Sequence, residues 1–354
     1  MNRPIGTLLL VFALTLAWAA CNKPSEPPHK KLKVGMVLDT GGDNDRGFNE
    51  YSLKGAREAA EKAGIDFTYV ASESTAMYER NIDKMIAQGA DLIFTVGFAL
   101  ANATAKAAIR YPERHFAIID YAYAPGSGCP ETVQDCYTAE GGLANVTSLV
   151  FTEDQPAYLA GALAACMSKT GVIGSVAGYD IPPVVRFVEG FENGARSVRP
   201  DIVTHKRYIP DFNDADTGKV VAMDFISKGA DVLFCAGGTT GLGALMAAKE
   251  AGLKAVGVDV DQYLTFPEAG SALLTSAMKN VDVAAKLTVT AFAQGLLNAG
   301  IQKFSLTNGA VGLAPFHDWQ DKIAPACKEQ VRLARQRVLK NPAITMAAGE
   351  PPAE

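Results

Sequence analysis

The chain has 354 residues, with 33 Lys or Arg against 38 Asp or Glu, a formal net charge of -5 and a hydrophobic fraction of 48%. That balance describes a globular protein with an ample core and excludes a disordered chain, which needs low hydrophobicity and high net charge. No basic stripe runs through it, which argues against a nucleic-acid partner.

Asn2-Arg3 followed by the apolar "GTLLLVFALTLAWAA" of residues 6–20 reads as a secretory signal, too short and wrongly flanked for a stable membrane span. Cys21 directly after Ala19-Ala20 resembles a lipobox cysteine, which is lipidated and becomes the new N-terminus. Trp18 departs from that pattern and keeps ordinary cleavage at Ala17-Trp18-Ala19 open. Either way the mature protein is expected to be exported, at most lipid-anchored to a bacterial membrane and facing the periplasm or exterior. "NKPSEPPHKK" then reads as an extended polar tether. Nothing later is long and apolar enough to span a bilayer.

From Lys33 the pattern alternates buried strand and amphipathic helix. "KVGMVLD" is a strand, "NEYSLKGAREAAEKAG" a helix stopped by glycine, and "DFTYVAS" a strand. Next come a helix over "MYERNIDKMIAQG", the strand "ADLIFTVG", a helix over "ALANATAKAAIRYP" and the strand "FAIIDY". The same succession returns as "GVIGSVAG", "VEGFENGARSVRP", "VTHKRYI", "DTGKVVAMDFISKG", "ADVLFCAGG", "LGALMAAKEAG" and "KAVGVD". "FNEYSLKGAR" from Phe48 matches "FVEGFENGAR" from Phe187 at an offset of 139, and Asp120 matches Asp259 at the same offset. "QGADLIFTVGFALANATAKAA" and "KGADVLFCAGGTTGLGALMAA" agree at 140, so the two halves share one fold.

The fold class is therefore α/β, with two doubly wound parallel-sheet lobes joined by a multi-strand hinge. The expected division is signal peptide 1–20, tether 21–31, first lobe 32–150, second lobe 151–276, a return to the first lobe over 277–304, a hinge return with C-terminal helix over 305–340, and a disordered tail 341–354. Crossings between lobes are expected near residues 145–155, 271–282 and 304–313. The C-terminal helix is expected within residues 318–340.

Ligands of open parallel sheets bind beyond the carboxyl ends of the strands. Asp39, Phe48, Gly97 and Asp120 stand there in one lobe, and Phe187, Gly237 and Asp259 in the other. Two phenylalanines facing each other across a cleft could hold a flat aromatic ligand; the competing reading makes each a hydrophobic staple of its helix. For Asp39, Asp120 and Asp259 the competing reading is helix N-capping. For Lys279 it is a solvated surface lysine. Gly-Ala-Arg in the repeat reads as a helix face lying close on its sheet.

Of six cysteines, Cys129 and Cys136 in "GSGCPETVQDCY" suit a local disulfide in an exported chain. Cys166 and Cys235 read as small buried hydrophobes, and Cys327 has no assignment. Four scattered histidines and no Cys-x-x-Cys give no reason to expect a metal or cofactor.

The ordered stretches "GMVLDTGGDNDRGFNE", "PPVVRFVEGFENGA", "CAGGTTGLGA", "GVDVDQ" and "LLTSAMKNVD" resemble the successive signatures of the basic membrane protein family. These are lipoproteins related to type I periplasmic binding proteins, and they serve as purine-nucleoside-binding components of ABC importers. The resemblance runs from about Lys33 to about Gly312. It implies a monomeric, non-enzymatic receptor that closes on a purine nucleoside and delivers it to permease subunits, with a membrane anchor through the N-terminal lipid and no nucleic-acid partner. Carried over by position, Phe48 and Phe187 would stack on the base, Asp39 and Asp120 with Asn49 beside them would face its polar edge, Asp259 and Lys279 would hold the ribose, and Gly238 would line the cleft. Asp261 stays open as a substitute for Asp259. Asn44 and Arg46-Gly47 stand where family members often have an acidic residue and Lys-Ser, which leaves the choice of base open.

Two other readings remain. "DTGGDND" is faintly like the calcium loop of nucleoside hydrolases, but Gly41 replaces the second aspartate and Asn44 breaks the final pair, while calcium wants roughly six to eight oxygens. A sensor that signals to a membrane receptor would carry the same binding lobes.

Overall fold

The computed structural model describes Met1 and residues 31–346. The expected signal peptide, the Cys21 lipidation site, the tether short of Lys31 and the tail beyond 346 lie outside the described residues.

In chain order, β1 (Lys33–Leu38), α1 (Phe48–Ala63), β2 (Asp66–Ala71), α2 (Tyr78–Ala87), β3 (Leu92–Val96), α3 (Ala101–Arg110) and β4 (His115–Ile119) alternate as the periodicity predicts. An excursion carries the two-residue strands β5 (Ala124–Pro125) and β6 (Gly128–Cys129) before β7 (Val146–Phe151). Then follow α4 (Asp154–Met167), β8 (Val172–Ala177), α5 (Pro182–Val198), β9 (Val203–Tyr208), α6 (Ala215–Ser227), β10 (Val232–Ala236), α7 (Gly238–Glu250), β11 (Lys254–Asp259), α8 (Gln262–Thr265) and β12 (Leu273–Lys279). Last come α9 (Val281–Ala293), β13 (Gly300–Phe304), β14 (Val311–Leu313) and α10 (Pro325–Lys340).

The strands form two six-stranded sheets, ordered β13-β7-β4-β3-β1-β2 and β14-β12-β11-β10-β8-β9. The orders correspond strand for strand, which is what the 139-residue offset demands. Every pairing is parallel except β14 on β12, so one edge of the second sheet departs from the all-parallel expectation. Alternate strand residues serve opposite faces. Met36, Leu38 and Phe94 pack with Leu53, Ala56 and Val289 of α1 and α9, whereas Val37 and Ile93 pack with Ile82 and Met85 of α2. Both faces are covered, which is why the central strands are continuously apolar.

Three segments pass between the lobes. β7 belongs to the first sheet, yet the helix after it, α4, lies on α5 of the second lobe. β12 belongs to the second sheet, yet α9 lies on α1 of the first. The third segment links β13 to β14. Because β12 hydrogen-bonds to β11 and β14 as far as Met278 and Lys279, the second crossing falls at Asn280, three residues beyond the boundary expected after 276.

Three helix limits differ from the expectation. α5 begins at Pro182 rather than Val188, since prolines at the first two helical positions sacrifice only N–H groups that have no intrahelical partner. α7 begins at Gly238, ahead of Leu242. α10 begins only at Pro325, and the expected residues before it hold a 3-10 turn at His317–Trp319.

Cys129 and Cys136 form a disulfide across the excursion after β4. Cys166 is bonded to Cys327, which corrects the reading of Cys166 as a buried hydrophobe and assigns Cys327. The bridge ties α4 to α10 across 161 residues, a separation no local sequence pattern reveals. Cys235 alone remains a free buried thiol among the described cysteines.

The repeated glycines also have a different neighbour from the one expected. A Cβ on Gly55 would stand 2.1 Å from the Asp282 carbonyl oxygen of α9, and one on Gly194 would stand 2.0 Å from the Tyr158 carbonyl oxygen of α4. Each marks a helix–helix crossing, against the helix that has just come over from the other lobe, rather than contact with the sheet. Gly194→Ala is therefore expected to lower stability by about 1–3 kcal/mol through overpacking against unyielding backbone. Thermal or urea unfolding of the variant measures this, and an unchanged midpoint would contradict the crossing's tightness.

Candidate functional site

A cleft of about 650 Å³, its open mouth included, lies at the carboxyl ends of both sheets. Phe48, Asp39, Asn49, Asp120, Phe187, Gly238, Asp259 and Lys279 all line it, so every residue carried over by position is brought to one place. The ends of six different strands, β1, β4, β8, β10, β11 and β12, and the segments that follow them supply these residues, which is why they are scattered in sequence.

The loop after β1 divides labour between two aspartates. Asp45 accepts hydrogen bonds from the backbone N–H groups of Gly47, Asn49 and Glu50 at 3.0, 2.8 and 3.1 Å, so it is Asp45 that caps α1. Asp39 is thereby excused from capping. Its carboxylate accepts from Gly41 N–H and from Asn49 Nδ2, both at 2.8 Å, and Asn49 Nδ2 also reaches Asp45 at 3.2 Å. This pins the amide so that Asn49 Oδ1 is buried and has no hydrogen-bond partner among the described residues. Gly97, at φ 109°, allows the fit: a Cβ there would lie 2.6 Å from Asp39 Oδ2.

Asp120 and Asp259 occupy equivalent places in the two lobes and share a left-handed backbone, φ 72° and 65°. A non-glycine residue held there costs on the order of 1–3 kcal/mol and marks a constrained site. Lys279, the last residue of β12, is only 2% exposed, which removes the surface-lysine reading. Its Nζ donates to Asp120 Oδ2 at 2.6 Å and stands 2.9 Å from Glu153 Oε1. Arg186 Nε donates to Glu153 Oε2 at 2.7 Å. Burial alone would lower the lysine's proton affinity, but the carboxylates of Asp120, Glu153 and Asp259 outweigh it and hold the ammonium above its ordinary range. Asp261 is engaged elsewhere, 2.7 Å from His317 Nε2, and is absent from the cleft lining, whereas Asp259 is present.

Phe48 is half-buried at the start of α1, with the Lys279 ammonium 5.0 Å from its ring centroid. Phe187 stands five residues into α5, so it is no staple at a helix start. It is 4% exposed and meets Phe234 edge-on at 6.1 Å, so it serves the core and the cleft together.

Several lining residues escape the sequence reading. Phe98 directly follows Gly97, and Phe212 lies beyond β9 against Tyr179, ring centroids 5.1 Å apart. Both follow the same strand-end rule that picks out Asp39 and could have been found by it. Ile181 and Val184 enter with the early start of α5. Glu153 carries no such signal, because nothing local to "FTEDQ" tells of its partners.

Two parallel sheets with a donor-seeking cleft between them, and three chain crossings, define a type I periplasmic-binding-protein-like solute receptor. The family model for ABC transporter substrate-binding proteins of the PnrA-like kind (Bmp) matches residues 32–341, and the chain belongs to that family. The family is one of substrate-binding proteins and not of enzymes, which removes the hydrolase reading. The chain is 34% identical over 301 residues to the "ABC transporter nucleoside-binding protein BmpA" of Lactococcus lactis subsp. cremoris, covering 80% of this chain and 81% of that one. It is 29% identical to the "CD4+ T-cell-stimulating antigen" of Listeria monocytogenes over 94% of this chain and 95% of that one. A solved solute-binding protein of an ABC transporter system from Aeropyrum pernix K1 shares the fold with TM-score 0.70 and 28% identity, covering 87% of this chain and 86% of that one. ABC substrate-binding proteins work outside the cytoplasm, and among the described residues no helix is long and apolar enough to cross a membrane.

The cleft titrates near neutrality. Burial pushes Asp39 from 3.8 to about 6 and Asp259 from 3.8 to about 7, with neighbouring carboxylates adding to the rise. For a raised carboxyl the folded protein holds a proton that the unfolded chain has released, so stability falls as pH rises from the ordinary value to the folded one. Ligand-free protein is accordingly expected to lose stability between about pH 4 and pH 7 through these two groups. Asp259→Asn should flatten that slope toward pH 7 and melt higher than wild type at pH 8. Melting curves from pH 5 to 8 test this, and parallel curves for the two proteins would refute it.

Proposed function

We propose that this chain is the extracytoplasmic receptor of an ABC importer and that its cleft takes a purine nucleoside. The observation that carries the reading is the pairing of aromatic rings from opposite lobes with a wall of hydrogen-bond acceptors. Phe48 and Phe187 suit the two faces of a flat base, for which offset stacking adds about 0.5–1.5 kcal/mol beyond area burial. Asp39 and Asn49, one of whose oxygens is buried without a partner, suit ring N–H and exocyclic amine donors. Asp120 Oδ1, likewise buried without a partner, extends the acceptor wall toward Lys279. Asp259 and Lys279 suit ribose hydroxyls, which both accept and donate, while Gly238 lets backbone line the wall. The relative from Lactococcus that bears the nucleoside-binding name supports the same ligand class.

Charge narrows the class further. Asp39, Asp45, Asp120 and Asp259 line the cleft against the single lysine, Lys279, and an anion entering there would meet uncompensated carboxylates. A neutral nucleoside suits the cleft and its phosphate ester does not. The receptor is read as a monomer held to the membrane by a lipid on Cys21; release of Cys21→Ser from the membrane fraction would be the expected result, and its retention would count against the anchor.

Calorimetry with guanosine, inosine, adenosine, uridine, ribose and guanosine monophosphate tests the assignment. Binding is expected for at least one purine nucleoside and not for the monophosphate. Silence with every nucleoside would overturn it. Phe48→Ala should weaken binding about 10- to 100-fold, from lost stacking and apolar contact together, with little change in melting. The matching change at Phe187 must be to Leu, because full truncation of so buried a ring costs about 3–5 kcal/mol of stability by itself.

A further inference from the structure

Glu153 is 0% exposed and does not line the cleft, yet it stands between two cations that matter to it. It occupies the first crossing, between the end of β7 and the start of α4. Lys279 closes β12 at the second crossing, and Arg186 sits on α5 immediately before Phe187. One Glu153 oxygen accepts from Arg186 at 2.7 Å and the other is 2.9 Å from the Lys279 ammonium. One carboxylate thus joins both crossings to the second lobe, and through Lys279 it reaches Asp120 of the first. Burial disfavours its charge, but the Arg186 guanidinium and the Lys279 ammonium together hold it ionised below the ordinary carboxylate range.

We infer that Glu153 is a positioning residue: its ion pair sets where the Lys279 ammonium stands, and so governs the cleft's hold on the sugar hydroxyls. The inference rests on the nucleoside reading. An ammonium has three donors on a flexible stem. Asp120 accepts one of them and the Glu153 carboxylate holds the same ammonium by charge at 2.9 Å, so a donor is left for a ligand. Remove the Glu153 charge and the buried ammonium, already bonded to Asp120, must draw its further compensation from Asp259, the carboxylate offered to the sugar. Both the donor and an acceptor offered to the sugar are then lost, while the aromatic slot and the Asp39–Asn49 pair, carried on β1 and α1, stay in place.

The experiment compares guanosine with 2′,3′-dideoxyguanosine by calorimetry on the wild type and on Glu153→Gln. Wild type should prefer guanosine, and the variant should raise the guanosine Kd at least about tenfold, the scale of one charge-assisted hydrogen bond, while moving the dideoxy compound less than about threefold. A purely structural role would weaken both compounds alike, and that result, or no change in either, overturns the inference. So does a wild type that fails to distinguish the two compounds. If wild type binds neither these two nor inosine, adenosine or uridine, the nucleoside assignment itself fails and takes this role with it; if it binds another purine nucleoside instead, that nucleoside and its 2′,3′-dideoxy form are the pair compared. Glu153→Asp keeps the charge but retracts it by one methylene; it should show the same sugar-selective loss at smaller size, and it carries the test if Glu153→Gln does not fold.

Discussion

An ammonium group buried to 2% exposure at the junction of two lobes constrains everything around it. A charge taken from water is tolerated only when it is paired and hydrogen-bonded. Lys279 meets that demand with Asp120 from one lobe and Glu153 from the crossing segment between β7 and α4, and with the faces of Phe48 and Phe151 at 5.0 and 5.1 Å. None of those partners is near it in sequence. The cleft floor, the hinge and the first aromatic wall are consequently one electrostatic assembly. The elevated Asp259 follows from the same arrangement: Lys279 favours its charged form, but desolvation and the surrounding carboxylates oppose it more strongly.

The duplicated architecture explains how two lobes can share such an assembly. Each sheet sends one strand out to a helix that packs on the other lobe, β7 to α4 and β12 to α9. The repeated glycines lie at the crossings these helices make: Gly55 beneath α9 and Gly194 beneath α4. A helix that must dock after a crossing needs backbone-to-backbone closeness, because a side chain at the contact would lever the lobe away from its hinge. The motif that looks like a repeated sheet contact is a repeated hinge contact.

The fold is legible in the sequence where the signal is periodic or duplicated. Apolar strand runs and a constant offset near 139 suffice for two doubly wound lobes and for placing Asp39, Asp120 and Asp259 at strand ends and Phe48 at the start of α1; Phe187, expected at a strand end, lies inside α5. What escapes is whatever depends on a partner distant in the chain. The Cys166–Cys327 bridge spans 161 residues, and Glu153 looks like any acidic residue ahead of a helix until Arg186 and Lys279 are brought to it. Asp39 and Asp45 are equally good candidates for a cap by composition. Only the hydrogen bonds show that Asp45 serves α1 and frees Asp39 for the cleft. Pro182 is ambiguous for a different reason, since proline both ends and begins helices, and its role here moves Ile181 and Val184 to the wall.

The contacts across the mouth bear on what closes the receptor. Asn213 Nδ2 donates to the Thr40 carbonyl at 2.8 Å, and Arg46 pairs with Glu268 at 2.9 Å while lying over Phe266. The Arg46 and Glu268 side chains are 43% and 49% exposed, and ion pairs in such settings contribute roughly 0–1 kcal/mol. Against them, closing the cleft crowds Asp39, Asp45, Asp120 and Asp259 together, where like charges oppose one another, and Asn49 Oδ1 and Asp120 Oδ1 find no partner among the described residues. A ligand that supplies donors to those oxygens removes the penalty and adds its own contacts to both lobes at once, so it shifts the equilibrium by acting only on the closed form. Closure coupled to occupancy in this way is the property a transporter's receptor needs.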